Sequence, residues 1–252
     1  MKVNNKKLLQ TTPQLVVFDL DNTLYLYGPA HKAALAAVLK KVSADLDIAS
    51  NDFKTYYDKA RKEVKSNTGN FAASHSRLLY FKTAFELMGL GTLVLKSLEL
   101  EQTYWRTFLA NANLFDGVYN LLQELALQGI KTAIITDLTT QIQLRKLISF
   151  DLEHSFEYII TSEESGAEKP NPAPFRLLEE RTGRLNPIWM IGDDLEKDIG
   201  GAQQHLSAFG LLRDDQFAKA RHPKITPDAV FSSFVEILNL VKKINQKKPL
   251  YE

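Results

Sequence analysis

The chain has 252 residues, 44% hydrophobic and 24% charged, an ordinary globular composition with room for one large domain or a domain carrying an insertion. A formal net charge of +1 points to no nucleic acid and no membrane surface as partner. The absence of cysteine excludes disulfides, thiolate nucleophiles and Cys-ligated zinc or iron–sulfur centres. No run approaches the ~18 apolar residues of a membrane helix. The basic start (Lys2, Lys6, Lys7) leads to Pro13 rather than to an apolar leader, so a cytoplasmic location is expected.

The first apolar run, 15–20, predicts a short buried strand. At its end stand Asp19 and Asp21, two carboxylates two residues apart, where an unpaired charge is costly to bury. Tyr25 and Tyr27 follow and suit either a pocket wall or aromatic packing at a hinge. From 26 to 112 there is no strand pattern; helical spacing recurs over 30–42, 52–66, 71–88 and 93–112. In this block His75 and Arg77 stand near a helix start, one turn before Tyr80. They either meet a substrate or occupy a solvated helix face above a buried Tyr80. Trp105 and Phe108 read as the core of the last of these helices.

Beyond the block, helical patterns at 118–128, 140–150, Pro172–Thr182 and 195–205 alternate with strand patterns at Lys131–Thr136, Tyr158–Thr161, 188–191, 209–212 and Ala229–Phe231. Such alternation predicts an α/β fold, a doubly wound, Rossmann-like parallel sheet covered by helices on both faces. Residues 1–25 and 113–252 would form this core, with 26–112 inserted as a helical cap domain. Gly129, Gly183 and Gly210 are expected at helix ends or turns. The polar, lysine-rich tail after Val241 is expected to fray. His31, His154, His205 and His222 show no metal-ligand spacing.

Polar residues recur at the strand ends. Thr136 and Asp137 close the second long strand, Lys169 follows the third, and Asp193, Asp194, Glu196 and Asp198 follow the fourth. The carboxyl ends of parallel strands share one edge, where open α/β sheets bind ligands. Two carboxylates about 4 Å apart repel by about 4 kcal/mol at an effective dielectric near 20, so Asp19, Asp21 and Asp193 cannot all stay ionised without a cation. Oxygen ligands favour Mg²⁺, and Mg²⁺ with a lysine and a hydroxyl suits a transferring phosphoryl group. Asp is a known nucleophile in such chemistry, and a second Asp with a pKa raised by like-charge neighbours suits general acid–base work. Asp194 and Glu196 also suit the N-terminus of the helix that follows.

This constellation resembles the haloacid dehalogenase superfamily, in its phosphatase form with an all-helical cap between the first and second motifs. Four motifs occur in order across nearly the whole chain. The resemblance implies that Asp19 attacks phosphorus, that Asp21 protonates the leaving oxygen and then activates water, and that Thr136 and Lys169 hold the phosphoryl oxygens. It implies Mg²⁺ bound by the Asp19 carboxylate, the Asp21 main-chain carbonyl and Asp193, with Asp198 or Asp194 supporting its waters. Family members that dehalogenate carbon lack the second Asp of the first motif, so Asp21 favours phosphate esters. Asp137 stands where many relatives carry Asn; it either turns away or binds a polar group of the substrate. The expected substrate is a small phosphorylated metabolite (a nucleotide, a sugar phosphate or a phosphorylated acid), the expected state a monomer or homodimer. A phosphomutase and a non-catalytic phospholigand-binding protein are the competing readings.

Overall fold

A computed structural model describes residues 1–214 and 224–246. His222 and the tail from 247 onward lie outside the described residues. The central sheet is built from β1 (Lys2–Val3), β2 (Leu15–Phe18), β3 (Lys131–Thr136), β4 (Tyr158–Thr161), β5 (Ile188–Gly192), β6 (Phe209–Arg213) and β7 (Ala229–Phe231). Their order is β1-β7-β6-β5-β2-β3-β4, which places β2 between β5 and β3 in the middle of the sheet. Every pairing is parallel except that of β1 with β7, so the all-parallel expectation is corrected at this edge. A two-residue strand is too short to show a period of two, and its pairing is made by chain far away.

Between β2 and β3 run α1 (Tyr27–Leu46), α2 (Ser50–Thr68), α3 (Arg77–Leu87) and α4 (Val94–Asn111), the helical cap. After them come α5 (Val118–Leu127), α6 (Thr140–Ser149), α7 (Ser162–Ser165), α8 (Pro172–Thr182), α9 (Gly201–Leu206) and α10 (Phe234–Asn245). The pleat of β2 sends Val16 and Phe18 into one apolar cluster, shared with α5, α10 and the cap, and Leu15 and Val17 into another beneath α8 and α9. Both faces are therefore buried, as a parallel sheet requires. The larger cluster continues into the cap through Tyr57, Phe81, Tyr104 and Phe108. Among the described residues no helix is long and apolar enough to cross a bilayer.

Several boundaries differ from expectation. The 71–88 pattern divides into a 3₁₀ turn, Ala72–His75, and α3, whose start is capped by the Ser76 hydroxyl accepting from the Leu79 amide at 3.3 Å. The 195–205 pattern divides into a π turn, Leu195–Gly200, and α9. The chain does not fray at Val241: α10 runs to Asn245, held by Ile237, Val241 and Ile244 on one buried stripe. Gly129 (φ +65°) and Gly183 (φ +70°) do follow α5 and α8. Gly210 instead lies inside β6, where a Cβ would meet Ile199 at 2.4 Å; close packing of the π turn on the sheet, not a bend, accounts for that glycine.

Candidate active site

β2 ends in the middle of the sheet, and its last residues deliver Asp19 to the carboxyl edge. The Asp19 amide still donates to the Ile191 carbonyl of β5 at 2.9 Å, fixing its register beside Asp193. Thr23 returns from the next turn, its hydroxyl 2.9 Å from an Asp19 oxygen and 3.2 Å from an Asp193 oxygen. From the far side Lys169 places Nζ 2.6 Å from Asp19, 2.7 Å from Asp198 and 3.0 Å from the Ile135 carbonyl. Asp19, Asp193 and Asp198 each bring an oxygen into one group whose members lie within 4.8 Å of one another.

One ammonium cannot balance three carboxylates. Burial pushes Asp19 up to about 7, with Lys169 opposing and Asp198 adding to the rise. Burial pushes Asp193 up to about 7, with Asp19 adding, and Asp198 up to about 6, with Lys169 opposing. Lys169 moves well above its ordinary value because Asp19, Asp198 and Asp137 outweigh its own burial. The cluster lacks positive charge, and its all-oxygen donor set fits a hard divalent cation such as Mg²⁺.

Asp21 behaves otherwise. Its side chain turns from the cluster to α6, where Lys146 Nζ contacts its two oxygens at 2.6 and 2.8 Å. The Tyr25 hydroxyl donates to the same carboxylate, and Gln143 Nε2 lies at 3.3 Å. Burial alone would raise the Asp21 pKa, but Lys146 with the Tyr25 and Gln143 hydrogen bonds brings it below its ordinary value. The expectation of a pKa raised by like charges is corrected: a distant lysine, invisible from the motif itself, reverses the sign. Tyr25 is corrected too. It is fully buried against Phe108 and Phe150, its hydroxyl is committed to Asp21, and it does not line the cavity.

Thr136 ends β3 on the cavity wall, where its hydroxyl accepts from Gln143 at 2.5 Å. Asp137 also lines the cavity, and its oxygens accept from the Lys169 amide at 3.0 Å and from Lys197 Nζ at 3.1 Å. Leu138 follows at φ +109°, a conformation uncommon for a residue with a Cβ, and its amide donates to the Ser162 hydroxyl at 2.8 Å. Asp194 caps the π turn, its carboxylate accepting from the Glu196 and Lys197 amides at 2.9 Å. Asp198, not Asp194, joins the acidic cluster.

The cap closes the site above a cavity of about 310 Å³. His75 and Arg77 both reach its wall. His75 Nε2 pairs with Glu168 at 2.8 Å, across the gap between cap and core. Arg77 is not on a solvated face. It is 7% exposed and lies among Tyr80, Tyr104 and Trp105 at 5.2–5.6 Å from their ring centroids, while Tyr80 is fully buried. Sequence reasoning missed Lys146, Gln143, Lys197, Glu168, Arg61 and Lys65. The available signal for Gln143 and Lys146 was their place beside Ile142 and Leu147 on one helical stripe, where long polar side chains do not belong.

The model of the haloacid dehalogenase-like hydrolases matches residues 13–205. A ribulose-1,5-bisphosphate 5-phosphatase from Halopiger xanaduensis is 43% identical over 189 residues, 74% of this chain and 79% of the relative. A glyceraldehyde 3-phosphate phosphatase from Methanothermobacter thermautotrophicus is 27% identical over 91% of this chain and 98% of the relative. Among solved structures, a HAD phosphatase from Thermococcus onnurineus superposes with a TM-score of 0.67 at 23% identity, covering 90% of this chain and 97% of that one. A 2-haloacid dehalogenase from Pseudomonas syringae superposes equally well, with a TM-score of 0.68 at 24% identity and coverage of 91% and 98%. The fold is thus shared by enzymes of different chemistry, while the sequence match runs through every strand-end motif from Asp19 to Asp198. The chain belongs to the haloacid dehalogenase-like hydrolases.

Proposed function

We propose that this hydrolase is a Mg²⁺-dependent phosphatase that cleaves a small phosphomonoester through an aspartyl-phosphate on Asp19. The observation that carries the reading is the Asp19–Asp193–Asp198 group bridged by Lys169, which is short of positive charge and built from oxygen donors alone. The similarity to phosphatases acting on ribulose-1,5-bisphosphate, glyceraldehyde 3-phosphate and phosphoserine supports a small phosphorylated metabolite as substrate. A cavity of about 310 Å³ is of the size for one. The lack of cysteine agrees with work in the cytoplasm.

The Asp19 and Asp193 carboxylates and the Asp21 main-chain carbonyl would hold the metal, with Asp198 supporting its waters. Mg²⁺ there supplies charge to neutralise the carboxylates and the phosphoryl oxygens. Asp19 attacks phosphorus, while Lys169 and Thr136 hold the peripheral oxygens as the leaving oxygen departs. Asp21 protonates that oxygen and then takes a proton from the water that cleaves the acyl phosphate. Paired with Lys146, Asp21 is an ionised carboxylate, the form the second step needs; the first step needs it protonated and released from that lysine.

The test is release of phosphate from p-nitrophenyl phosphate by the purified chain. Turnover that requires Mg²⁺, stops with EDTA and falls at least a thousandfold in Asp19→Asn is expected. No release from any phosphomonoester overturns the reading, and recovery of the phosphoryl group on substrate rather than as free phosphate makes the chain a mutase.

A further inference from the structure

The floor of the cavity is acidic, but its roof is cationic. Arg61 and Lys65 stand one turn apart on α2, and Arg77 opens α3; all three line the cavity that holds Asp19. None of the three has a carboxylate partner among the described residues. Other cations of the site and of this helix do have one: Lys169 meets Asp19 at 2.6 Å, Lys197 meets Asp137 at 3.1 Å, and Lys54 on α2 meets Asp58 at 2.6 Å.

Arg77 makes the omission costly. Its guanidinium donates to the Tyr27 hydroxyl and, at 2.6 Å, to the His75 carbonyl, both neutral acceptors. Its buried Nε has no acceptor at all. Arg does not deprotonate in proteins, and a buried charge without a counter-charge is a strong penalty. Arg61 and Lys65 add like charge at a spacing that destabilises a helix. Burial, then Arg61, and with them Arg77 and Lys197 press the Lys65 ammonium below its ordinary value, against the opposing charge of Glu168, so positive charge outweighs negative here. Three cations, one of them buried, line this cavity without an ion pair to any of the carboxylates on its floor, and so describe a site for an added anion at the roof.

Resting on the phosphatase reading, we propose that Arg61, Lys65 and Arg77 form a second anion subsite. It binds a phosphate or carboxylate at the end of the substrate opposite the phosphoryl group that Asp19 attacks. The substrate class is then a phosphomonoester with a second anionic terminus, not a neutral-ended sugar phosphate or an aryl phosphate. A site that charge-pairs one group discriminates against analogues lacking it far more than a site that only encloses them.

The experiment compares kcat/KM for a sugar bisphosphate, a phosphorylated hydroxy acid and a sugar monophosphate with a neutral far end. A preference of at least tenfold for one of the doubly anionic esters supports the subsite, and whichever ester wins names phosphate or carboxylate. In Arg61→Gln/Lys65→Gln the preference should shrink to within threefold, mainly through KM, while Arg61→Lys/Lys65→Arg should retain it. Equal kcat/KM for all three esters in the wild-type chain overturns the proposal. If no ester is hydrolysed, the phosphatase reading fails by itself, and the subsite is judged by thermal shift. Greater stabilisation by the bisphosphate than by the monophosphate upholds it, provided the gap closes in the double Gln variant; equal shifts overturn it.

Discussion

Lys146 reaches through the base of the cap to bind both oxygens of Asp21, at 2.6 and 2.8 Å. Its side chain has no exposure to solvent, and Nζ lies 5.7–6.0 Å from the ring centroids of Tyr25, Tyr27, Trp105 and Phe108. These rings come from the α1 entry and from α4, so the partner of a motif carboxylate is itself seated by the cap. A cation enclosed by aromatic faces gains from their quadrupoles, but its main compensation is the carboxylate.

Lys146→Met is therefore expected to destabilise the chain toward the lower end of the ~3–5 kcal/mol that breaking a buried pair costs, because Asp21 retains some contact with water. Asp21→Asn alone leaves the ammonium enclosed without a charge partner and should cost a similar amount. The double variant should cost less than the sum, with a coupling of about 1–3 kcal/mol measured by urea unfolding. Strict additivity would mean that the pair does not act as one.

Asp198 depends on the absence of a side chain at Gly192. A Cβ there would stand 2.4 Å from both Cβ and Oδ2 of Asp198. Gly192→Ala should push Asp198 away from Lys169 and from the Asp194 amide, now at 2.7 and 3.0 Å. Overpacking of this kind costs about 1–3 kcal/mol. The functional readout is the Mg²⁺ concentration for half-maximal hydrolysis, expected to rise about tenfold, the scale of losing a supporting metal contact. An unchanged requirement would show that Asp198 does not serve the cation.

The strand-end chemistry was legible because strands stop where charge begins. Asp19, Thr136 and Asp193 each follow a short apolar run of strand length, and Lys169 follows the strand between Thr136 and Asp193 in sequence. What sequence withheld was anything depending on a partner from a remote helix. Lys146 stands out on an apolar stripe with Ile142 and Leu147, but its partner shows only once α4 and α6 are packed together, and Asp21 then titrates in the opposite sense from the one its motif neighbours imply. Arg61 and Lys65 sit on the exposed side of a helix pattern, and only the fold brings them over the sheet edge. Strand β1 was illegible for a simpler reason, since two residues carry no periodicity.

The acidic cluster makes stability depend on pH and metal together. Asp19 and Asp193 are pushed up to about 7 and Asp198 to about 6, by burial first, from an ordinary carboxyl value of 3.8. Between about pH 4 and 7 the folded chain thus holds more protons at these groups than the unfolded chain, so their contribution falls as pH rises. Thermal unfolding should show Mg²⁺ stabilising little at pH 5, where protons compete for the oxygens, and distinctly more at pH 8. Equal Mg²⁺ shifts at both values would separate the cation from these carboxylates.

Glu168 ties the cap to the loop that carries Lys169. Its carboxylate accepts from His75 Nε2 at 2.8 Å, from the Ser74 hydroxyl at 3.3 Å and from Lys197 at 3.3 Å, while its amide donates to the Asn70 carbonyl at 3.3 Å. Burial would raise its pKa, yet His75 and Lys197 bring it below the ordinary value. A depressed carboxyl stabilises the fold above its unfolded pKa and loses that contribution as pH falls through the folded one. Glu168→Gln keeps the shape and one acceptor but removes the charge, at a cost of about 1.5–3 kcal/mol if the hydrogen bonds behave as others made to charged groups. The loss should be local. Amide hydrogen exchange is expected to quicken across the turn Ala72–His75, with KM rising more than kcat falls, because the cap wall loosens while Asp19 and Lys169 stay in place. Unchanged exchange in that turn would mean that the cap is held by its apolar core alone.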